Sequence, residues 1–334
     1  MKKFKAILRG SRKVLLITSS GYMNLGGEAV VHKIITEVQS ANPKSRLRAT
    51  SSNPGHSEKL HKFENIKFIN SLSVKLVSNL LLADTIVIAG DEITSARLNQ
   101  LYPGVLSYLQ GKFRIFAAAL GVFLGKKVIF YKIGLYSFQN NFPKGALNYA
   151  LENSVLIVAR DNETKKQLRL FGCRKEIQAG RDPGYDVEYR KQKGTRGMGL
   201  ILSNPLNDRK EQKLTQFLKS LSDKKKKRKL CFFVFCRHPE KEAENDLTFV
   251  NKIVSKLGLK KKDYEIFVSD EPARVKSKMS SMSFIITSRY HGAVFADSTK
   301  VPFIALPVSN KLRAFGKRTV EFEELENFNL NHIK

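Results

Sequence analysis

The 334-residue chain has no tryptophan, three cysteines, six histidines and about half as many acidic as basic side chains, 30 Asp and Glu against 59 Lys and Arg. Each scarcity excludes something. Three cysteines, Cys173, Cys231 and Cys236, rule out a disulfide framework. The step from Cys231 to Cys236 within a strand-like run is neither a C-x-x-C redox pair nor a zinc knuckle, and a reducing cytoplasm fits this usage. With no H-E-x-x-H, no clustered histidines and no repeated metal-spaced carboxylates, no tightly bound metal is expected. The glycine-bearing loops are followed by no G-K-[ST], match no G-x-G-x-x-G and contain no G-x-S-x-G, which excludes a P-loop, a dinucleotide fingerprint and a hydrolase elbow. Long hydrophobic runs are missing too. The most apolar stretch, Ile115 to Gly125, falls short of the roughly 20 residues a bilayer span needs and is followed by Lys126 and Lys127. The amino-terminal MKKFKAILRGSRKVLLIT has only a short apolar core, Val14 to Ile17, and no convincing cleavage site; it reads as the approach to a first strand rather than a leader.

The shortage of acids leaves a formal net charge of +29. Such an excess attracts nucleic acid, an anionic membrane face or phosphorylated substrates, although a lysine-rich proteome gives the same sum. Nucleic acid rests on charge alone here and is not expected, because no RRM-type aromatic motif accompanies it. Peripheral contact with an anionic membrane face stays open. The run Lys224 to Lys227 reads as a solvated loop.

What is present is a chain with 42% hydrophobic residues, long enough for two cores. Strand-like runs alternate with helical patterns throughout, which predicts an α/β protein with parallel sheets. In the first half the strands are Lys13 to Thr18, Arg46 to Thr50, Thr85 to Ala89, Lys127 to Lys132 and Val155 to Val158. Helices fit Glu28 to Gln39, Gly104 to Gly125, Lys144 to Glu152 and Glu163 to Phe171. In the second half, Gly199 to Leu202, Lys229 to Phe235, Glu265 to Phe267, Phe284 to Thr287 and Phe303 to Leu306 read as strands, with helical stretches at Arg209 to Ser222 and Ala243 to Leu257. A basic, glycine-bearing join without apolar period lies near Tyr189 to Gly197. The expected organisation is an amino-terminal Rossmann-like lobe, 1–188, a linker, 189–198, and a carboxy-terminal Rossmann-like lobe, 199–334, facing a central cleft that holds the site.

The sharpest chemical signal is Ser283 to Pro307, SFIITSRYHGAVFADSTKVPFIALP. A strand ends in Ser288-Arg289-Tyr290-His291-Gly292, a small-residue helix follows, then a second strand. Arg289 and His291 fall at the carboxyl end of a strand, where open α/β sheets bind ligands, beside a helix amino terminus that favours an anion. The rival reading is an elbow pair that satisfies buried carbonyls. Weaker candidates are the loop holding Asn24, Gly26 and Glu28, the strand end Ala89-Gly90-Asp91-Glu92, Arg160 before the helix-capping Asp161, and Arg237-His238 after another strand. Each also has a bland reading as turn, cap, structural ion pair or surface histidine.

Ser288-Arg289-Tyr290-His291 with Phe295-Ala296 and Val301-Pro302 resembles the S-R-x-H elbow, small-residue helix and Pro-bearing strand of the polysaccharide pyruvyl transferase family. Gly21 to Ala29 resembles that family's G-x-x-N-x-G-D-E-A loop, with Gly27 where the family has its acid. Lys127 to Leu135, Val158 to Asp161 with Glu163-Thr164, and Arg181-Asp182-Pro183-Gly184 resemble further landmarks in the same order. The resemblance implies a glycosyltransferase B-like fold and transfer of the pyruvyl group of phosphoenolpyruvate to two hydroxyls of one sugar, forming a cyclic ketal and releasing phosphate. It implies Arg289 as a ligand of the donor's carboxylate or phosphate, His291 as general acid to the enol carbon or as phosphate ligand, and Arg160 as a second donor ligand. Asp91 or Glu28 would take the proton of the acceptor hydroxyl. Ser288, Arg237, His238, Asn24 and Gly26 would complete the binding surface. No cofactor beyond the donor substrate is implied; the acceptor would be a glycan or lipid-linked saccharide.

Two other readings stay open. A nucleotide-sugar glycosyltransferase of the same fold would need a ribose carboxylate, for which Glu271 is the nearest candidate. A degenerate member would bind glycan or nucleic acid without turnover.

Overall fold

The computed structural model describes the chain apart from residues 1, 72, 91, 94–104, 137–142, 195–196, 204–206, 224–228, 239–241 and 329–334, and gives backbone only at 105–111, 222–223 and 243. By packing, the chain falls into two compact units, one of residues 1–21 and 30–183, the other of residues 22–29 and 184–334.

The first unit carries strands β1 (Lys13–Ser20), β2 (Arg46–Ser51), β3 (Ile66–Asn70), β4 (Thr85–Ala89), β5 (Lys127–Ile133), β6 (Leu156–Ala159) and β7 (Gln178–Ala179). They pair in the order β3-β2-β1-β4-β5-β6-β7, every pair parallel. Its helices are α1 (Lys2–Arg9), α2 (Leu25–Ala41, whose first turn belongs to the other unit), α3 (Pro54–His61), α4 (Val74–Leu82), α5 (Val105–Phe123), α6 (Lys144–Asn153) and α7 (Asn162–Leu170). The central strands β1, β4, β5 and β6 carry apolar runs because both of their faces are covered, as parallel sheets require. Alternate residues go to opposite cores: Leu15, Ile17, Ile86, Ile88, Val128 and Phe130 on one face, Val14, Leu16, Val87, Ile129 and Tyr131 on the other.

The second unit has β8 (Met198–Ile201), β9 (Leu230–Val234), β10 (Tyr264–Val268), β11 (Phe284–Thr287) and β12 (Phe303–Ala305), in the order β10-β9-β8-β11-β12, all parallel. Its helices are α8 (Asp208–Asp223), α9 (Asp246–Lys256), α10 (Pro272–Met279) and α11 (Tyr290–Thr299). Each expected strand is present to within two residues at either end. Helices α1, α3, α4 and α10 and strands β3 and β7 are additions. In α1, Phe4 and Leu8 lie one turn apart and are buried, and Phe4 stacks on Tyr131. In α3, Pro54 occupies the first turn and the Asn53 side chain accepts from His56 N at 3.1 Å.

The second unit begins at Gly184, earlier than the join near Tyr189. Lys276, almost fully buried, donates from Nζ to the carbonyls of Gly184, Tyr185 and Val187 at 3.3, 2.8 and 2.8 Å. Tyr185 Oη donates to Asp297 at 2.9 Å, and the amides of Arg190 and Gln192 donate to Ser277 Oγ and Ser280 Oγ, both at 3.0 Å. The stretch that reads as a linker is therefore bonded to α10 at both these positions. Among the described residues, no helix is long and apolar enough to cross a membrane.

Candidate active site

In the second sheet the strand order reverses between β8 and β11, so the loops leaving these two strands flank the crevice where an open α/β sheet takes its ligand. Ser288 and Arg289 leave β11 there. The Ser288 hydroxyl accepts from Ser203 N at 2.8 Å and lies 3.0 Å from Ser203 Oγ, which ties the β11 exit to the β8 exit. Thr287 Oγ1 accepts from Arg289 N at 3.0 Å and donates to Arg289 O at 2.9 Å, closing the elbow before α11 begins. Arg289 occupies the cap position of α11 in extended conformation, and no side chain caps that helix.

The Arg289 side chain is a fork onto Asp246. Nη2 donates to Oδ1, and Nε donates to Oδ2 at 3.2 Å. Asp246 is wholly buried in the first turn of α9 and also accepts the backbone N–H groups of Phe235 and Cys236, at 3.2 and 3.0 Å. Burial raises the Asp246 carboxyl above its usual range, and Arg289 and the two amides pull against that rise. Burial likewise works against the Arg289 cation, and the Asp246 charge outweighs it, so the guanidinium is held more firmly charged than in water. The fork uses the Nε–Nη2 edge. The Nη1–Nη2 edge is the one a ligand oxyanion can take. Cys236, behind this pair, is no nucleophile: burial first of all pushes its thiol up to about 11.

The loop at 22–25 reaches the same place. Leu25 N donates to Phe235 O at 2.8 Å, Arg237 N donates to Met23 O at 3.1 Å, and Asn24 and Cys236 form an antiparallel bridge. Met23 takes a left-handed conformation to make this turn, with φ of 51°. Leu25 and Ala29 then enter the core formed with Tyr290, Ala293 and Val294 of α11. Gly26 lies directly against the His291 ring: a Cβ built there would sit 2.1 Å from Nδ1. Tyr290 packs edge-on against His291, and Tyr22 lies beside the buried His238. Arg237 pairs with Asp270. Glu28 is buried in the first turn of α2, its N–H bonded to Asn24 O at 3.0 Å.

The second unit thus gathers Asn24, Gly26, Glu28, Arg237, His238, Ser288, Arg289 and His291 around the carboxyl ends of β8, β9 and β11. Arg160 lies in the first unit, almost fully buried at the end of β6. Its Nε donates to Tyr136 Oη at 2.9 Å, and Nη1 lies 3.5 Å from Asp182 Oδ2. Tyr136 in turn donates to Asp161, whose other oxygen caps α7 through Thr164 N at 2.7 Å. Burial, above all, raises the Tyr136 hydroxyl out of titration range. Gly134 makes room for the guanidinium, since a Cβ there would fall 2.7 Å from Nη2. Asp91 lies outside the described residues, and Glu92 forms a parallel bridge with Gly134. Glu271 precedes α10 at its cap position without a side-chain cap bond.

Sequence reasoning did not single out Asp246 or Ser203. Both lie far along the chain from Arg289 and Ser288, and Asn245-Asp246 reads as an ordinary helix start. Lys276 was equally hidden, because one lysine within the basic stretch Arg274-Val275-Lys276-Ser277-Lys278 carries no signal of burial.

No curated protein matches the chain. Solved structures share its fold at low identity. S. aureus MnaA solved with UDP aligns with a TM-score of 0.64 at 11% identity, over 95% of this chain and 86% of that one. UDP-GlcNAc 2-epimerase of Methanocaldococcus jannaschii, in complex with UDP-GlcNAc and UDP, aligns at 0.58 and 14%, over 96% and 94%. A glycosyltransferase of Rickettsia africae aligns at 0.51 and 13%, over 93% and 84%. These likenesses establish two Rossmann-like units of the glycosyltransferase B type. The family model described as polysaccharide pyruvyl transferase matches residues 24–310, a span that takes in the first loop from Asn24 onward, the Arg160 region and the elbow. On that match over most of its length, the chain belongs to the polysaccharide pyruvyl transferase family.

Proposed function

We propose that the protein transfers the pyruvyl group of phosphoenolpyruvate to two hydroxyls of one sugar of a glycan or lipid-linked saccharide. The observation that carries this reading is the Arg289–His291 elbow at the switch point of the second sheet, inside a stretch matched by the family. The free edge of Arg289 takes the carboxylate or phosphate of the donor as a fork. His291 protonates the methylene carbon of the enol, and a sugar hydroxyl adds to the adjacent carbon as positive charge develops there. The second hydroxyl then attacks the same carbon as the phosphate leaves. Of the two protons released by the hydroxyls, one restores the general acid and the other leaves with phosphate. Glu28, buried close to Gly26 along α2, is the residue assigned to receive the acceptor's proton, and Asp91 is the other carboxylate proposed for it. Arg160 is retained as a donor ligand that the first unit holds rigidly through Tyr136 and Asp182.

The test is calorimetric titration of phosphoenolpyruvate into the wild type, Arg289→Lys and His291→Gln, with UDP-GlcNAc as the control ligand and thermal melts on each variant. Arg289→Lys keeps a cation opposite Asp246 but loses the fork. We expect saturable binding in the wild type, at least tenfold weaker binding in Arg289→Lys, and near-normal binding in His291→Gln. Binding of UDP-GlcNAc with no response to phosphoenolpyruvate would overturn the reading in favour of a nucleotide-sugar enzyme.

A further inference from the structure

Among the described residues, seven of the large apolar side chains left exposed lie on two neighbouring helices of the first unit: Val74, Val77, Leu81 and Leu82 on α4, and Phe116, Leu120 and Phe123 on α5. Val74 is 86% and Phe123 76% exposed. Their spacings, i, i+3, i+7 on α4 and i, i+4, i+7 on α5, put each set on one helix face. The opposite faces already have their partners: Leu80 on α4 and Ile115 and Ala118 on α5 belong to the core. Lys126, just past α5, donates from Nζ to Leu81 O at 2.7 Å and so joins the ends of the two ridges. An apolar surface of this extent on a protein in water marks an interaction site.

The rim is basic. Neither α4 nor α5 contains a carboxylate, whereas Lys75, Lys126 and Lys127 lie on or beside them. Next to Leu82 a cavity is lined by Lys13, Arg46 and Arg48. None of these three forms an ion pair among the described residues, and the carboxylate closest in sequence to Leu82, Asp84, is turned to the backbone amides of Arg12 and Lys13 at 2.8 and 2.9 Å. Lys13 and Arg46 are the first residues of their strands, so the cavity opens at the amino edge of the sheet, away from the carboxyl edge where ligand loops lie.

We propose that the α4–α5 ridge and the Lys13–Arg46–Arg48 cavity dock this unit on a bilayer containing anionic lipid. The apolar side chains enter the boundary between headgroups and acyl chains, as those of surface-lying amphipathic helices do, and the three cations take lipid phosphates. Charge selects this occupant over a second copy of the chain. Two molecules each carrying a formal +29 repel, whereas an anionic surface attracts them. Nucleic acid would use the cations and leave the ridge bare. The inference does not depend on which donor or acceptor the enzyme uses.

The experiment is flotation of the full-length protein with vesicles of phosphatidylcholine alone or mixed with phosphatidylglycerol, at low and high salt, beside sedimentation velocity without lipid. The wild type is expected to float with the mixed vesicles and to lose most of that binding on neutral vesicles. Val77→Glu with Phe123→Glu, both at exposed positions, is expected to reduce binding at least tenfold while leaving the melting temperature unchanged. Arg46→Gln with Arg48→Gln is expected to weaken it about 25-fold, at roughly fivefold per cation beside an anionic surface. Absence of vesicle binding overturns the proposal. So does undiminished binding by the apolar double variant, which would leave charge alone as the cause. A dimer that the same variant dissolves, with no flotation by the wild type, would assign the ridge to a second copy instead.

Discussion

A single methyl group would be felt most at Gly26. A Cβ there would meet His291 at 2.1 Å from Nδ1, 2.4 Å from Cγ and 2.6 Å from Cβ, and the last of these atoms cannot swing aside because α11 fixes it. Gly26→Ala is therefore expected to displace His291 and cut turnover about 100-fold, the usual consequence of moving a reacting group by an ångström. Phosphoenolpyruvate affinity should stay within a few-fold of the wild type, since Arg289 is held independently by Asp246. Phosphate release and calorimetry on the same sample separate the two effects. Sequence alone points to Gly26 through its place in a loop and to His291 through the strand, elbow and helix around it. It gives no hint that the two touch. Asp246 was illegible for a different reason. The carboxylate that keeps Arg289 charged sits 43 residues away, in a setting that any helix start would produce.

At the scale of elements, α8 and α9 are clamped by one carboxylate. Glu211, almost fully buried, accepts from Lys252 at 2.8 Å and Lys256 at 2.6 Å, two cations one turn apart on α9. Burial pushes its carboxyl up, and the two ammonium groups more than reverse that, leaving it below the ordinary value. A carboxyl depressed in the folded state contributes stability above its unfolded value of about 4.3, and that contribution is lost as pH falls through the folded value. Denaturant midpoints followed downward from pH 6 should therefore drop more steeply in the wild type than in Glu211→Gln. Equal slopes would mean that the clamp contributes nothing. The parallel strands were legible because burial on both faces turns them into apolar runs, Thr85 to Ala89 and Phe284 to Thr287 being the clearest. The short helices were not. In α1 only Phe4 and Leu8 are fully buried, with Ile7 packed partly against them, while α4 leaves four of its six apolar residues to solvent.

For the whole molecule, alternation of strands and helices was enough to show two wound sheets, because that topology imposes it. Where one unit ends was not legible, since the polar stretch after Tyr189 is bonded through backbone amides, which leave no mark on composition. Nor does composition show that Tyr22–Ala29 packs with residues far downstream. A fragment spanning 184–334 therefore lacks a piece of its own core, Leu25 and Ala29. It is expected to melt below the corresponding transition of the full chain, by an amount equivalent to about 2–5 kcal/mol for a lost buried leucine. Adding a synthetic peptide of residues 22–29 should recover part of the loss, and a fragment that melts like the intact protein would refute the assignment. The same eight residues bear on how such enzymes exchange parts. A recombination event that replaces everything upstream of Gly184 also imports a foreign Gly26 loop beneath a resident histidine. Shuffling amino-terminal units among relatives thus succeeds only when that short inheritance is kept with the downstream half, which makes one crossover too few and three the working number.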